Sequence, residues 1–119
     1  MDYIRLTGLT ATATLAAKQW TPVRLASTAG QVIVATATTH LIIGIVQNDP
    51  AAGEAADVCA IGECYAIAGT STITPGLSLS ANSTGVVNVT AGKIVGKALQ
   101  ASAAKGDKIK ILATGGSIY

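Results

Sequence analysis

The sequence predicts an all-β fold: a small β-barrel or sandwich built from two degenerate tandem β units, with an extended N-terminal arm. Three observations carry this reading. Short apolar stretches alternate with Gly-, Asn- and Pro-bearing turn signals at intervals of about 8–12 residues. Half of the 119 residues are apolar but only 3% are aromatic, with no Phe, so the apolar bulk is Ala, Val, Ile and Leu. Small and β-branched side chains of this kind suit stacked strands. Finally, the stretch 41–62 has a paler copy at 94–115. Gly44 matches Gly96, Ala51-Ala52 matches Ala103-Ala104, and Gly53 matches Gly106, with a one-residue slip inside the turn. The copy extends upstream, where Thr21-Pro22 and Gly30 parallel Thr74-Pro75 and Gly85. Residues 21–69 and 74–116 therefore read as two β units that bury a shared face, since one alone would expose it.

The chain divides into an arm, 1–18, and one β domain, 19–119, which the length prior also favours. The arm is rich in Thr and Ala, with Tyr3, Ile4, Leu6 and Leu9 as its larger apolar groups. Alternating Thr in Thr10-Ala-Thr-Ala-Thr14 reads as extended chain. It precedes the first unit, so the core should not need it; it either pairs with the sheet or reaches to a neighbour. Trp20-Thr-Pro-Val-Arg-Leu-Ala26 is the first strand, and Pro22 places it at an edge or a strand start. A turn at 27–30 leads to a strand over 31–36, and a second turn at 38–40 precedes the strand 41–47. That strand is nearly continuously apolar, which predicts burial on both faces.

Asn48-Asp-Pro-Ala-Ala-Gly53 is the sharpest turn: Asn and Asp fold back on the backbone, Pro fixes φ and Gly supplies the left-handed residue. Strands follow over 55–61 and 63–68, joined at Gly62, and 69–72 is the seam between units. In the second unit Leu and Ser alternate over 77–80, a hairpin turn at 81–85 leads to the strand 86–90, and a strand over 93–100 precedes the turn 101–106. In the last strand, 107–113, Ile109, Ile111 and Ala113 face one way while Lys108, Lys110 and Leu112 face the other. The tail, 115–119, is read as loose. A single helical turn at 50–53 or 101–105 would fit.

Composition narrows the function. The net charge is +2, and Lys and Arg are scattered. No basic run marks a nucleic-acid binder. Lys93, Lys97, Lys105, Lys108 and Lys110 concentrate in the second unit without interleaved aromatics, which suits a solubilising face or one meeting an acidic protein surface. Only 12% of residues are charged, so part of the surface is expected to be covered by a partner. No segment reaches the roughly 20 apolar residues of a membrane span. The start, Met1-Asp-Tyr-Ile-Arg5, lacks the basic-then-apolar order of a secretory signal, which predicts synthesis and use in a cytoplasm.

Signs of chemistry are few. Cys59 and Cys64 have neither zinc nor redox spacing. On one extended strand they face opposite sides, so they read as two small buried hydrophobes; a bridge across a turn at Gly62-Glu63 is the demanding alternative. His40, the one histidine, follows a Thr-rich turn with no nearby Cys or carboxylate and reads as a solvated turn residue. Asp49, Glu54 and Asp107 read as turn caps rather than a cation site. Gly85-Val-Val-Asn-Val-Thr-Ala-Gly92-Lys93-Ile94 has the wrong glycine spacing and no Ser or Thr after the Lys, so it is not a phosphate loop. The expectation is a protein that is not an enzyme and holds no metal or cofactor.

With these pieces in order, the chain resembles the capsid cement (decoration) proteins of tailed bacteriophages. The matching features are Trp20-Thr-Pro-Val, Ile43-Gly-Ile-Val-Gln-Asn-Asp-Pro-Ala-Ala-Gly-Glu54 followed by Asp57-Val-Cys-Ala-Ile-Gly62, Thr74-Pro-Gly-Leu-Ser-Leu79 with Gly85, and Ile94-Val-Gly-Lys-Ala-Leu-Gln-Ala-Ser-Ala-Ala-Lys-Gly-Asp107. They span roughly residues 18 to 114. The resemblance implies a β-barrel-like virion protein on the outer surface of an icosahedral head, made in the host cytoplasm. It would bind the major capsid protein and clamp neighbouring capsomers, often as a homotrimer, with no nucleic-acid or membrane partner and no catalytic residues. The alternative is another virion surface β module, a head-fibre base or a glycan-binding domain, and few aromatics argue against sugar stacking. The contact candidates are Tyr3, Ile4, Arg5, Leu6, Leu9, Trp20, Tyr65 and Tyr119, because aromatic anchors dominate interface energy. Trp20 has a competing reading as a core residue closing one end of the barrel.

Overall fold

The computed structural model describes residues 3–115. Ten strands form one sheet: β1 (Tyr3–Leu6), β2 (Thr10–Ala11), β3 (Pro22–Leu25), β4 (Gln31–Val34), β5 (Ile42–Val46), β6 (Val58–Ile67), β7 (Ser78–Ala81), β8 (Val86–Asn88), β9 (Gly96–Ala98) and β10 (Lys108–Thr114). The order is β2-β4-β3-β5-β6-β10-β9-β7-β8, with β1 added on β6. The fold is all-β and sandwich-like; the strand path does not close into a barrel. Single bridges, Thr10 to Ala55 and Ala68 to Val86, curl each half back toward β6.

The two units have the same internal order. In the first, β3 pairs with β4 and β5, and β5 with β6. In the second, β7 pairs with β8 and β9, and β9 with β10. The units join through antiparallel β6 and β10. Val23 lies opposite Gly44 and Leu79 opposite Gly96, so these two glycines are equivalent in space. A Cβ on Gly44 would collide with the Cys59 carbonyl oxygen, and one on Gly96 with that of Leu112. Each is glycine because the next strand's backbone passes where a side chain would start. The Thr-Pro pairs are not equivalent: Pro22 opens β3, whereas Pro75 lies in the turn ahead of β7.

The turns match as well. After the left-handed Gly53, the Glu54 carboxylate accepts the Ala51 N–H at 2.7 Å. After Gly106, the Asp107 carboxylate accepts the N–H groups of Ala103 and Ala104 at 2.8 and 2.9 Å. These carboxylates are turn caps.

Two apolar clusters fill the interior. One gathers Ala11, Leu15, Val23, Val32, Val46, Ala56 and Val58. The larger one runs from Ala35, Ile42 and Ile45 through Cys59, Cys64 and Ala66 to Leu79, Val86, Val95, Ile109 and Ile111. Adjacent Ile45 and Val46 serve different clusters, as do Val58 and Cys59, so β5 and the start of β6 are buried on both faces. Along β10 burial alternates, with Ile109, Ile111 and Ala113 inward.

Several local expectations change. Of the two expectations for the stretch before residue 18, the structure shows pairing with the sheet. β1 pairs with β6, β2 runs parallel to β4, and Ala13–Leu15 form a 3-10 turn. Ala11 and Leu15 are completely buried, so this segment supplies core, contrary to the expectation from its position in the sequence. The only helical turn among the described residues is this one, rather than one at 50–53 or 101–105. The strand pair expected around Gly62 is one ten-residue strand, β6, which passes through Gly62 at φ 120°. Its register against β1 skips Ala60, because Ile4 faces Ile61 while Arg5 faces Cys59. This bulge reverses the alternation, so Cys59 and Cys64 lie in the same cluster rather than on opposite faces. Both are free and fully buried. The hydrogen bond with the Cys59 thiol, together with burial, pushes the Cys64 thiol far above its ordinary value.

Candidate contact surface

Of the candidate residues, β1 carries Tyr3, Ile4, Arg5 and Leu6, and β6 carries Tyr65. Tyr3 is half-buried on β1, packs against the larger cluster and donates its hydroxyl to Asp57 at 2.8 Å. Burial, and then that bond, raise the Tyr3 pKa above its usual value. Arg5 completes the group: its Nε lies 3.4 Å from the other Asp57 oxygen, and its guanidinium sits 5.5 Å from the Tyr3 ring centre. Arg5 is well exposed, so the pair stabilises the fold by about 0–1 kcal/mol and chiefly fixes geometry. Ile4, on the opposite face of the strand, is 62% exposed. It pairs with Ile61, itself exposed, and Leu112 on β10 is exposed as well.

A second group forms at the other end of β6. Trp20 precedes β3 rather than opening it and has a left-handed backbone, φ 66°. Its N–H donates to Val46 and its carbonyl accepts from Ile67, at 2.7 and 2.8 Å, so it ties the ends of β5 and β6. The ring meets Tyr65 edge-on at 6.4 Å. Lys108 Nζ lies 4.6 Å from the Trp20 ring centre and 4.5 Å from that of Tyr65, a cation held by two aromatic faces. The Gln47 side chain fixes Tyr65 from behind, donating to its carbonyl at 2.9 Å and accepting its N–H at 3.2 Å. Trp20 is in neither core cluster, so it does not close an end of a barrel.

The structure thus brings Tyr3 with Arg5, and Trp20 with Tyr65. It turns Leu6 and Leu9 inward against the smaller cluster, which leaves them less available for a partner. Tyr119 lies outside the described residues. Sequence reasoning missed Asp57, which holds the first group, and Lys108 as the cation of the second. It also missed the exposed Leu25, Leu41, Leu77 and Leu99. A signal existed only for Lys108 and Leu112, through the outward alternation of β10. His40 sits in the turn before β5, where its Nδ1 accepts the Thr36 N–H at 3.0 Å. No group of three or more His, Cys, Asp or Glu side chains converges among the described residues.

No protein-family model matches the sequence, and no curated protein matches it significantly. Among solved structures, the chain is similar to the head fibre gp8.5 N base of bacteriophage phi29. The match has a TM-score of 0.70 at 14% identity and covers 99% of both chains. At that identity the likeness is one of fold.

Proposed function

We propose that this chain is a structural protein of a phage virion, bound to the outer surface of the icosahedral head, where it stabilises the shell by clamping neighbouring capsomers. The observation that carries this reading is the end-to-end fold likeness to a phage head fibre base. The resemblance to cement proteins points the same way on independent grounds. The major capsid protein is the partner, and a homo-oligomer, with a trimer favoured, multiplies modest contacts by avidity. Ile4, Trp20 and Tyr65 are the anchors the geometry favours. The role needs no catalysis, no cofactor and no nucleic-acid or membrane partner.

Incubating purified protein with mature heads and imaging them with and without it tests the reading. Bound protein should cover the shell and raise the temperature at which heads release their genome. Absence of any affinity for heads overturns the proposal. The second reading, a head-fibre base, is favoured by the identity of the structural neighbour. It predicts binding to heads with no change in their heat resistance.

A further inference from the structure

Arg24 is a half-buried cation with no ion-pair partner among the described residues. It lies on β3, half-buried, between Ile33 of β4 and Ile42 of β5. Its Nε is shielded from solvent and has no hydrogen-bond acceptor among the described residues. A shielded guanidinium N–H without an acceptor is costly, and folded chains rarely keep one without cause. Two ion pairs form among the described residues, Arg5 with Asp57 and Lys110 with Glu63, and neither includes Arg24. The other described carboxylates are engaged elsewhere: Asp49 accepts the Ala17 N–H, and Glu54 and Asp107 cap their turns.

The surroundings of Arg24 are concave. A cleft of about 280 Å³ opens there, lined by Arg24, Leu25, Thr39, His40, Leu41 and Ile43. Each of its polar side chains carries a donor. Because His40 Nδ1 accepts the Thr36 N–H, the neutral ring carries its proton on Nε2. Thr39 adds a hydroxyl. Its walls are aliphatic, and Leu25 and Leu41 at the rim are 56% and 46% exposed. The register of β5 against β3 skips Ile43, since Val23 faces Gly44 while Arg24 faces Ile42. A bulge of this kind re-aims side chains and recurs beside functional sites.

We propose that this cleft is a docking site for an acidic side chain, glutamate or aspartate flanked by aliphatic residues, on a partner protein. The carboxylate receives the guanidinium of Arg24 and the N–H of His40, while its neighbours cover Leu25 and Leu41. The apolar rim favours a protein over a nucleic-acid phosphate. With the head-bound reading above, the partner surface is the capsid shell, and that assignment rests on the reading.

The test is a titration of isotope-labelled protein with acetyl-Leu-Glu-Leu-amide, followed by NMR. Saturable shifts are expected at the amides of Thr39, His40, Leu41 and Ile43. The Gln counterpart of the peptide, or the Arg24→Gln protein, should bind about tenfold more weakly, with Arg24→Lys intermediate. The Arg24→Gln protein should melt at the same or a higher temperature, because it loses an unsatisfied donor rather than a contact. No saturable shift, an equal response to the Gln peptide, or a response to oligothymidylate alone overturns the proposal. In head binding, Arg24→Gln should again lose about tenfold. Equal binding of heads by both proteins overturns the cleft as the docking site and leaves the head-bound reading standing. If the wild type ignores heads, that reading falls, and the peptide titration still decides the cleft.

Discussion

Tyr3 shows how one side chain links the N-terminal strand to the core. Its ring packs on the larger cluster while its hydroxyl donates to Asp57, which also meets Arg5. Burial and that hydrogen bond raise its pKa from 10.0. The unfolded chain therefore loses this proton at lower pH than the folded one. The contribution to stability is complete below about pH 10 and is lost as pH rises through the folded value. Thermal melts of the wild type should fall more steeply above pH 10 than those of Tyr3→Phe, which lacks the titrating group; parallel curves would remove Tyr3 from the alkaline transition. Trp20, by contrast, holds a left-handed backbone that a bulky residue rarely adopts. Its two main-chain bonds to β5 and β6 hold it there.

At the scale of the strand, close backbone approach and shared burial decide what can change. Gly44→Ala and Gly96→Ala each push a methyl group into a carbonyl of the adjacent strand. Each should destabilise by about 1–3 kcal/mol, with the cost read from denaturant midpoints. Similar costs at both sites are expected, because β5 meets β6 as β9 meets β10. Residues 3–15 are the other case. Leu15→Ala should cost about 2–5 kcal/mol, as Leu15 is fully buried in the smaller cluster. Deleting residues 1–15 removes β1, β2 and part of that cluster, so the truncated chain should melt well below the full one. Equal melting temperatures would show that the segment is dispensable.

For the whole molecule, β5 and β6 make the two clusters one cooperative body. Ile45 and Cys59 lie in the larger cluster and their neighbours Val46 and Val58 in the smaller, so neither can melt without exposing the other. Unfolding should be a single transition in which Trp20 fluorescence and far-ultraviolet circular dichroism coincide. Separate midpoints would mean that the two units unfold independently. A single cooperative body of this kind suits the surface-binding role proposed above. Exposed Ile4, the Trp20–Tyr65 pair and the Arg24 cleft offer different chemistries for that proposed role.

Local patterns were enough for the strands, because alternation and turn chemistry act within a few residues. The inward Ile109, Ile111 and Ala113, the paired Gly44 and Gly96, and the acidic caps after Gly53 and Gly106 were all readable from spacing. The matching of Pro22 with Pro75 was not sound, since similar dipeptides recur without sharing a place in the fold. Most of the contact surface depended on partners far apart in the chain. One skipped residue at Ala60 put Cys59 and Cys64 on one face, and Asp57 gathered Tyr3 and Arg5. Leu15 became core, and Arg24 was left without a carboxylate among the described residues. Which segments are strands and where they turn follows from preferences that act within a few residues. Which faces are covered and which charges stay unmatched depends instead on where distant strands come to rest.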